Sequence, residues 1–228
     1  MLLVDWNHLP EFMKKDAVKK YYDALAKKKI SLLLKRIFDV VVSMLLIVLL
    51  SPVLLVVAVW IKLDSKGPVF YRQERITQYG RTFRIFKFRT MVVNADQVGS
   101  LITTHHDPRI TKVGQKIRKC RLDEIPQLFN VLKGDMSFVG TRPEVEKYVS
   151  AYSDEMVATL LLPAGVTSLA SICYRDEDEI IAKYADSEHS VDEVYIEKIL
   201  PEKMQYNLEY LKTFGICQDI LLCLKTVV

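Results

Sequence analysis

Residues 37–61 read IFDVVVSMLLIVLLSPVLLVVAVWI, with no charge after Asp39, and this run limits the possible folds more than any other stretch. It starts too late and runs too long for a cleaved signal peptide, and no small-residue cleavage site follows. A helix buried in a protein core keeps a polar face; residues 44–50 offer none, so the segment meets lipid. Straight, residues 40–61 would measure about 33 Å, enough to cross a bilayer. Pro52 interrupts that reading because it removes an amide donor and presses on the carbonyl of Val48. The two arms are then roughly 18 Å and 14 Å long, each short of a hydrocarbon core of about 30 Å. The Ser51 hydroxyl stands where it can bond a carbonyl freed by the kink. Lys35 and Arg36 precede the run and Lys62, Lys66, Arg72 and Arg75 follow it, so both flanks are basic. A simple span keeps its basic flank on one side. The expectation is a re-entrant helical hairpin that enters and leaves through the cytoplasmic face, with an ordinary kinked spanning helix as the alternative.

Charge is concentrated ahead of this run. Residues 1–36 hold nine Lys/Arg against four acids, a net of +5, which leaves −1 for the rest of a chain whose total is +4. A basic segment next to an apolar one suits an anionic bilayer, where each cation gains about 1 kcal/mol. Residues 1–30 read as a basic amphipathic extension lying on that surface. Nucleic acid is excluded as the expected partner, because the remainder is not basic and no base-reading motif is present. Cys120, Cys173, Cys217 and Cys223 form no C-x-x-C pair and have no histidine at zinc-ligand spacing, so they read as buried thiols in a reducing cytoplasm. His105 and His106 read as loop residues.

Beyond the apolar run, residues 68–76 and 82–91 are rich in aromatic and β-branched side chains and flank Gln78-Tyr79-Gly80, which predicts a β-hairpin. Strand alternation puts Lys87 and Arg89 on one face and Arg84, Phe86 and Phe88 on the other. Two neighbouring cations repel unless they share an anion; a solvated basic face is the alternative. Residues 94–111 read as a loop and 114–121 as a helix. In 122–144, Ile125, Leu128, Phe129 and Leu132 recur at helical spacing, with Asp123 at the N-cap position, Pro126 in the first turn and Gly134 closing the helix. Further helices are expected over 144–162, 201–212 and 216–228, the last amphipathic enough to lie on protein or membrane.

Asp123 and Glu124 follow Arg118, Lys119 and Arg121. Cations and a helix N-terminus would together keep Asp123 ionised, as a nucleophile or metal ligand must be. Arg142 lies in Gly140-Thr141-Arg142-Pro143, where Pro143 restricts the backbone and the guanidinium fork can hold two phosphate oxygens. From these residues alone, Asp123 as a helix cap and nothing more stays open.

The ordered series Lys35-Arg36-Ile37-Phe38-Asp39, Ser51-Pro52, Gly67-Pro68-Val69-Phe70, Phe86-Lys87-Phe88-Arg89-Thr90-Met91, Leu122-Asp123-Glu124-Ile125-Pro126-Gln127-Leu128-Phe129-Asn130-Val131-Leu132-Lys133-Gly134-Asp135-Met136-Ser137 and Gly140-Thr141-Arg142-Pro143 resembles the bacterial sugar transferase family, the monotopic polyprenol-phosphate phosphoglycosyl transferases. The resemblance runs from about residue 33 to the C-terminus. It implies that Ser51-Pro52 makes the membrane helix re-entrant, that Asp123 is the nucleophile with Glu124 its partner, and that Mg²⁺ works at this dyad. It also implies that Arg118, Arg142 and Arg175, with Lys87 as a further candidate, bind substrate phosphates. The implied reaction moves a phosphosugar from a UDP-sugar to polyprenyl (undecaprenyl) phosphate and releases UMP, as the first membrane step of glycoconjugate assembly. The implied location is the bacterial inner (cytoplasmic) membrane, with the catalytic domain facing the cytoplasm.

The chain departs from the family pattern at Thr141, where a proline is usual, and at Ser168, Ser171, Cys173 and Tyr174. Those changes bear on the sugar or nucleotide pocket and on Arg175. The expected fold class is α+β, mostly helical: an N-terminal extension (1–30), a re-entrant membrane hairpin (31–66) and a small cytoplasmic domain with a β-hairpin (67–228). A catalytically silent membrane-anchored scaffold is the alternative; it explains the hairpin and the basic N-terminus but not the ordered charged motifs. A two-carboxylate glycoside hydrolase fits poorly, because adjacent residues cannot flank one glycosidic bond.

Overall fold

The computed structural model describes residues 3–95, 107–174 and 191–227, and in these the chain is mostly helical with two small sheets. After short 3-10 turns, α1 (Asp16–Ala26) leads through Lys27-Lys28 into α2 (Lys29–Asp64), a helix that carries Pro52 inside it. The run is helical throughout, and the Ser51 hydroxyl bonds the Val48 carbonyl at 2.8 Å, the acceptor that Pro52 leaves without an amide. Among the described residues α2 is the one helix long and apolar enough to cross a membrane. Along its middle Met44, Leu45, Val48, Leu49, Leu55 and Val56 are all exposed. A continuous apolar surface of this size needs lipid or protein around it.

Both ends of α2 dock on the same globular body. Near its start, Lys35 Nζ donates to the Val139 carbonyl and to Asp219, at 2.7 and 2.6 Å. Arg36 donates to the carbonyls of Val131 and Leu132. Asp39 accepts from the Ser137 hydroxyl and the Phe138 amide. Near its end, Val57 and Ile61 pack with Phe88, Val113 and Ile117, and Asp64 accepts from the Val113 amide.

The hairpin forms as the sequence predicts. Strands β1 (Phe70–Ile76) and β2 (Thr82–Phe88) pair antiparallel with Phe70 opposite Phe88 and Tyr71 opposite Lys87. Lys87 and Arg89 do not share an anion: Lys87 reaches Glu124, whereas Arg89, just past the strand end, donates to the carbonyls of Ser65 and Lys66. Helix α3 (Lys112–Lys119) is N-capped by the Thr111 hydroxyl, and α4 (Gln127–Lys133) ends at Gly134, whose φ of 88° gives the left-handed C-cap. Asn130 joins α4 to the edge of β2 by accepting from the Phe86 amide and donating to the Arg84 carbonyl.

A second sheet was not foreseen. Strands β3 (Met136–Val139) and β4 (Ala164–Thr167) pair in parallel. Gly140 and Gly165 allow the close approach at its end, since a Cβ on Gly165 would lie 2.2 Å from the Gly140 nitrogen. The helix expected over 144–162 is instead α5 (Glu146–Val149) and a 3-10 segment, Met156–Leu161, separated by residues 150–155. Helix α6 (Leu169–Cys173) follows β4. Helical turns over residues 191–199 lead into α7 (Leu200–Thr213), and α8 (Ile216–Val227) ends the described chain.

The largest core cluster joins the N-terminal segment to this body. Leu9, Met13, Val18, Tyr21 and Leu25 bury against Leu160, Leu161, Leu208 and Leu211. The apolar side chains of α1, Val18, Tyr21 and Leu25, are therefore turned inward to protein. The thiols also differ from expectation: all four are free, but Cys120, Cys173 and Cys217 are exposed and Cys223 is half-buried. His105 and His106 lie outside the described residues.

Candidate active site

Five of the residues singled out from sequence, Lys87, Arg118, Asp123, Glu124 and Arg142, meet at one place. The chain leaves α3 through Arg121, whose φ of 52° and ψ of 23° are left-handed, and enters a 3-10 turn, Leu122–Glu124. A non-glycine residue held there is a local cost of the kind found at functional sites. The N-cap of α4 is Pro126, so Asp123 does not cap that helix. Asp123 lies instead in the first turn of the short 3-10 segment, ahead of α4, which starts at Gln127. Capping of α4 drops out as an explanation of this residue.

Cations do surround the pair. Glu124 Oε1 accepts from Lys87 Nζ at 2.9 Å and from an Arg142 terminal nitrogen at 3.0 Å. Burial acts to raise the Glu124 carboxyl, but Arg142 and Lys87 together hold it well below the usual carboxylate range. Burial lowers the Lys87 ammonium from its ordinary value, with Glu124 opposing. Asp123 behaves differently. Burial raises its carboxyl above the ordinary aspartate value, Lys87 and Arg118 oppose, and the negative Glu124 adds to the rise. The expectation that cations and a helix terminus together hold Asp123 ionised is thus corrected: the direct contacts of Lys87 and Arg142 go to Glu124, and the Asp123 carboxyl is raised. Among the described residues no ion pair involves Asp123. A carboxylate that is destabilised and not tied to a cation is the more nucleophilic member of a pair.

Lys87 is set by β2, Arg118 by the last turn of α3, and Arg142 by the loop after β3. That loop is fixed by backbone: the Gly140 amide donates to the Thr167 carbonyl, and the Gly165 amide donates to the Thr141 carbonyl at 2.8 Å. Thr141 thus holds its place through the second sheet, without the ring of the usual proline. Arg175 lies outside the described residues.

Reading the sequence missed the face of β1. Alternation puts Tyr71, Gln73 and Arg75 on the side of the hairpin that carries Lys87. Arg75 donates to the Pro143 carbonyl at 3.2 Å and to the Gln73 side chain, and lies 3.9 Å from Glu144. Glu144 in turn accepts from the Tyr195 hydroxyl at 2.5 Å. This links the Arg142 loop to the C-terminal helices. The pairing of Tyr71 with Lys87 was the available signal, once the hairpin register was worked out.

The donor set suits a hard divalent cation. Asp123 and Glu124 supply carboxylate oxygens, and among the described residues no third His, Cys, Asp or Glu completes a metal cluster. Magnesium ions are commonly held this way, by one or two carboxylates with substrate phosphates and water completing the shell. The cations beside the dyad suit phosphate groups as well.

Fold and site together set one long apolar helix, exposed along its middle, beside a cation-lined carboxylate pair suited to phosphates. The chain belongs to the bacterial sugar transferase family, which it matches over residues 30–228. It is 36% identical over 197 residues to the UDP-N-acetylgalactosamine-undecaprenyl-phosphate N-acetylgalactosaminephosphotransferase of Aeromonas hydrophila, over 85% of this chain and 43% of that one. It is 36% identical over 203 residues to the UDP-glucose:undecaprenyl-phosphate glucose-1-phosphate transferase of Klebsiella pneumoniae, over 87% of this chain and 40% of the other. The protein of that same name from Caulobacter vibrioides is 35% identical over 197 residues, covering 85% and 68%. The chain therefore spans less than half the length of the first two relatives.

Proposed function

We propose that this chain is a sugar-phosphate transferase that moves a phosphosugar from a UDP-sugar to polyprenyl phosphate by way of Asp123. The observation that carries this reading is the division of labour in the dyad: Glu124 is pinned by Lys87 and Arg142, while Asp123 is half-buried, its carboxyl raised, and in no ion pair among the described residues.

In the first step an Asp123 carboxylate oxygen bonds to the sugar-bearing phosphorus of the donor. The bond from that phosphorus to the bridging oxygen breaks, and UMP leaves with the electron pair. In the second step an oxygen of polyprenyl phosphate bonds to the same phosphorus and the Asp123–phosphorus bond breaks. The products are polyprenyl diphosphate-sugar and a restored carboxylate. Arg142 and Arg118 hold the transferred phosphoryl oxygens, and Lys87 keeps Glu124 charged and oriented. Asp123 and Glu124 would hold Mg²⁺, which when bound offsets phosphate charge that would otherwise repel the incoming carboxylate. Two half-reactions let the water-soluble donor leave before the lipid engages.

The same reading places α2 in the cytoplasmic leaflet as a re-entrant hairpin broken at Ser51-Pro52. Support comes from the exposed apolar middle of α2, the Ser51 hydrogen bond beside Pro52, and the docking of both ends on one globular body. A spanning helix would separate those ends by the full hydrocarbon thickness.

Incubating the protein in detergent with a panel of UDP-sugars and Mg²⁺ tests the proposal. UMP release by the wild-type chain that falls by more than about 10³-fold in Asp123→Asn is the expected result, on the scale seen when a nucleophile is removed. Transfer by Asp123→Asn at a near wild-type rate would overturn the nucleophile's assignment.

A further inference from the structure

Residues 140–144, which carry Arg142, are tied to the body from three sides. The Gly140 amide and the Thr141 carbonyl bond the backbone of β4. On the hairpin side the Ile76 amide donates to the Glu144 carbonyl at 2.9 Å, and Arg75 donates to the Pro143 carbonyl at 3.2 Å. The third tie runs through side chains: the Tyr195 hydroxyl donates to Glu144 at 2.5 Å, and Lys203 of α7 donates to that hydroxyl at 3.2 Å. Glu144, Tyr195 and Lys203 are all buried, so solvent screens little of this chain of bonds. The Tyr148 ring packs on Tyr195, with centroids 4.7 Å apart, and fixes it further.

Charge explains why these residue types stand here. Burial lowers the Arg75 guanidinium from its ordinary value, Glu144 opposes from 3.9 Å away, and the nearby Arg142 cation adds to the fall. Without Glu144, Arg75 would press the Arg142 fork away from Glu124. Glu144 also lines a cavity of about 10 Å³ together with Arg142 and Thr141. A Glu144 carboxylate released from Tyr195 would therefore compete with Glu124 for the fork. We propose that Arg75, Glu144 and Tyr195 are positioning residues that hold the Arg142 fork where it meets Glu124 and the phosphates of a bound donor, a role that rests on the transferase reading above. They act through the Arg142 loop, and through Tyr195 and Lys203 they make the C-terminal helices part of the site. None of the three lies in the ordered motifs, which skip residues 71–85 and stop at Pro143.

The test is a double-mutant cycle on the full chain in detergent, read as kcat/KM for UMP release and as the Kd of UDP with Mg²⁺. Glu144→Gln removes the charge and keeps the shape; Tyr195→Phe removes the hydroxyl and keeps the ring. Each should lower kcat/KM about 10–10²-fold, the scale for a misplaced catalytic group, and weaken UDP about fivefold. In an Arg142→Ala background neither should have a further effect on rate or affinity, because the fork they place is gone. Arg75→Lys, which keeps the charge, should retain more activity than Arg75→Met. Tyr195→Phe loses no packing, so the cycle stands on it where Glu144→Gln misfolds. Losses that recur at full size in the Arg142→Ala background would mark support of the fold alone and overturn the proposal, as would unchanged rate and affinity in the single variants. If no UDP-sugar releases UMP but the UDP cycle is non-additive, the transferase reading fails and the positioning role stands. If transfer proceeds and the losses add, the positioning role fails and the transferase reading stands.

Discussion

At Asp123, burial and two cations pull on the carboxyl in opposite directions, and burial prevails. Activity needs the ionised form, so the acid limb of UMP release should lie at a higher pH than an ordinary aspartate would give. Lys87→Met removes the largest charge that opposes burial and should move the limb further up. Glu124→Gln removes a neighbouring negative charge and should move it down, whatever each does to the maximal rate. Single-turnover UMP release measured against pH would show both shifts, and shifts in one common direction would contradict the charge assignments. The sign for stability follows from the same state. An acid with a raised folded value costs the fold stability at neutral pH, and the cost fades as pH falls through that value and the group protonates. Asp123→Asn should therefore unfold at a higher temperature than wild type at pH 7, with the gap closing on acidification, while transfer is lost. Arg142→Ala should slow transfer by about 10²–10³-fold, the scale for removing one preorganised donor, with Arg142→Lys in between.

Among the elements, α2 and the hairpin were the most legible in sequence. A charge-free run with a central proline has few other uses, and the hairpin strands declare themselves by aromatic and β-branched content around a Tyr79-Gly80 turn whose residues both have positive φ. The β3–β4 pair was not legible. Each strand has four residues, they are 24 residues apart in sequence, and their pairing is decided by the close approach of Gly140 and Gly165, which no local pattern reveals. The same limit applied to Asp123, because the left-handed turn at Arg121 moves it out of α4, although its neighbours suggest a cap. For α2, single cysteines at Ile30 and Ser65 in a cysteine-free background test the re-entrant reading. An impermeant maleimide should label both from the cytoplasmic face of inside-out vesicles and neither from the other face. Labelling of the two from opposite faces would establish a span.

The whole molecule is held by long-range ties that the sequence motifs do not announce as structural. Lys35 and Asp219, each 1% exposed, pair at 2.6 Å, and Tyr210 also donates to Asp219 at 2.7 Å, so α2, α7 and α8 converge on one buried carboxylate. Asp219→Ala strands a buried cation and should destabilise by about 3–5 kcal/mol, whereas removing the exposed Arg84–Glu74 pair should cost under about 1 kcal/mol. Residues 1–29 lie outside the family match, yet α1 is part of the main core. Leu25→Ala should therefore cost about 2–5 kcal/mol, read as a lowered denaturation midpoint in detergent. This architecture puts one destabilised carboxylate beside an apolar helix, and the central claim is that this side chain becomes bonded to phosphorus. The direct measurement is mass spectrometry of the protein quenched after incubation with donor and Mg²⁺ but no lipid acceptor. A phosphosugar mass on the peptide bearing Asp123, chased off by polyprenyl phosphate, is the expected result; steady turnover with every donor-treated peptide unmodified would contradict it.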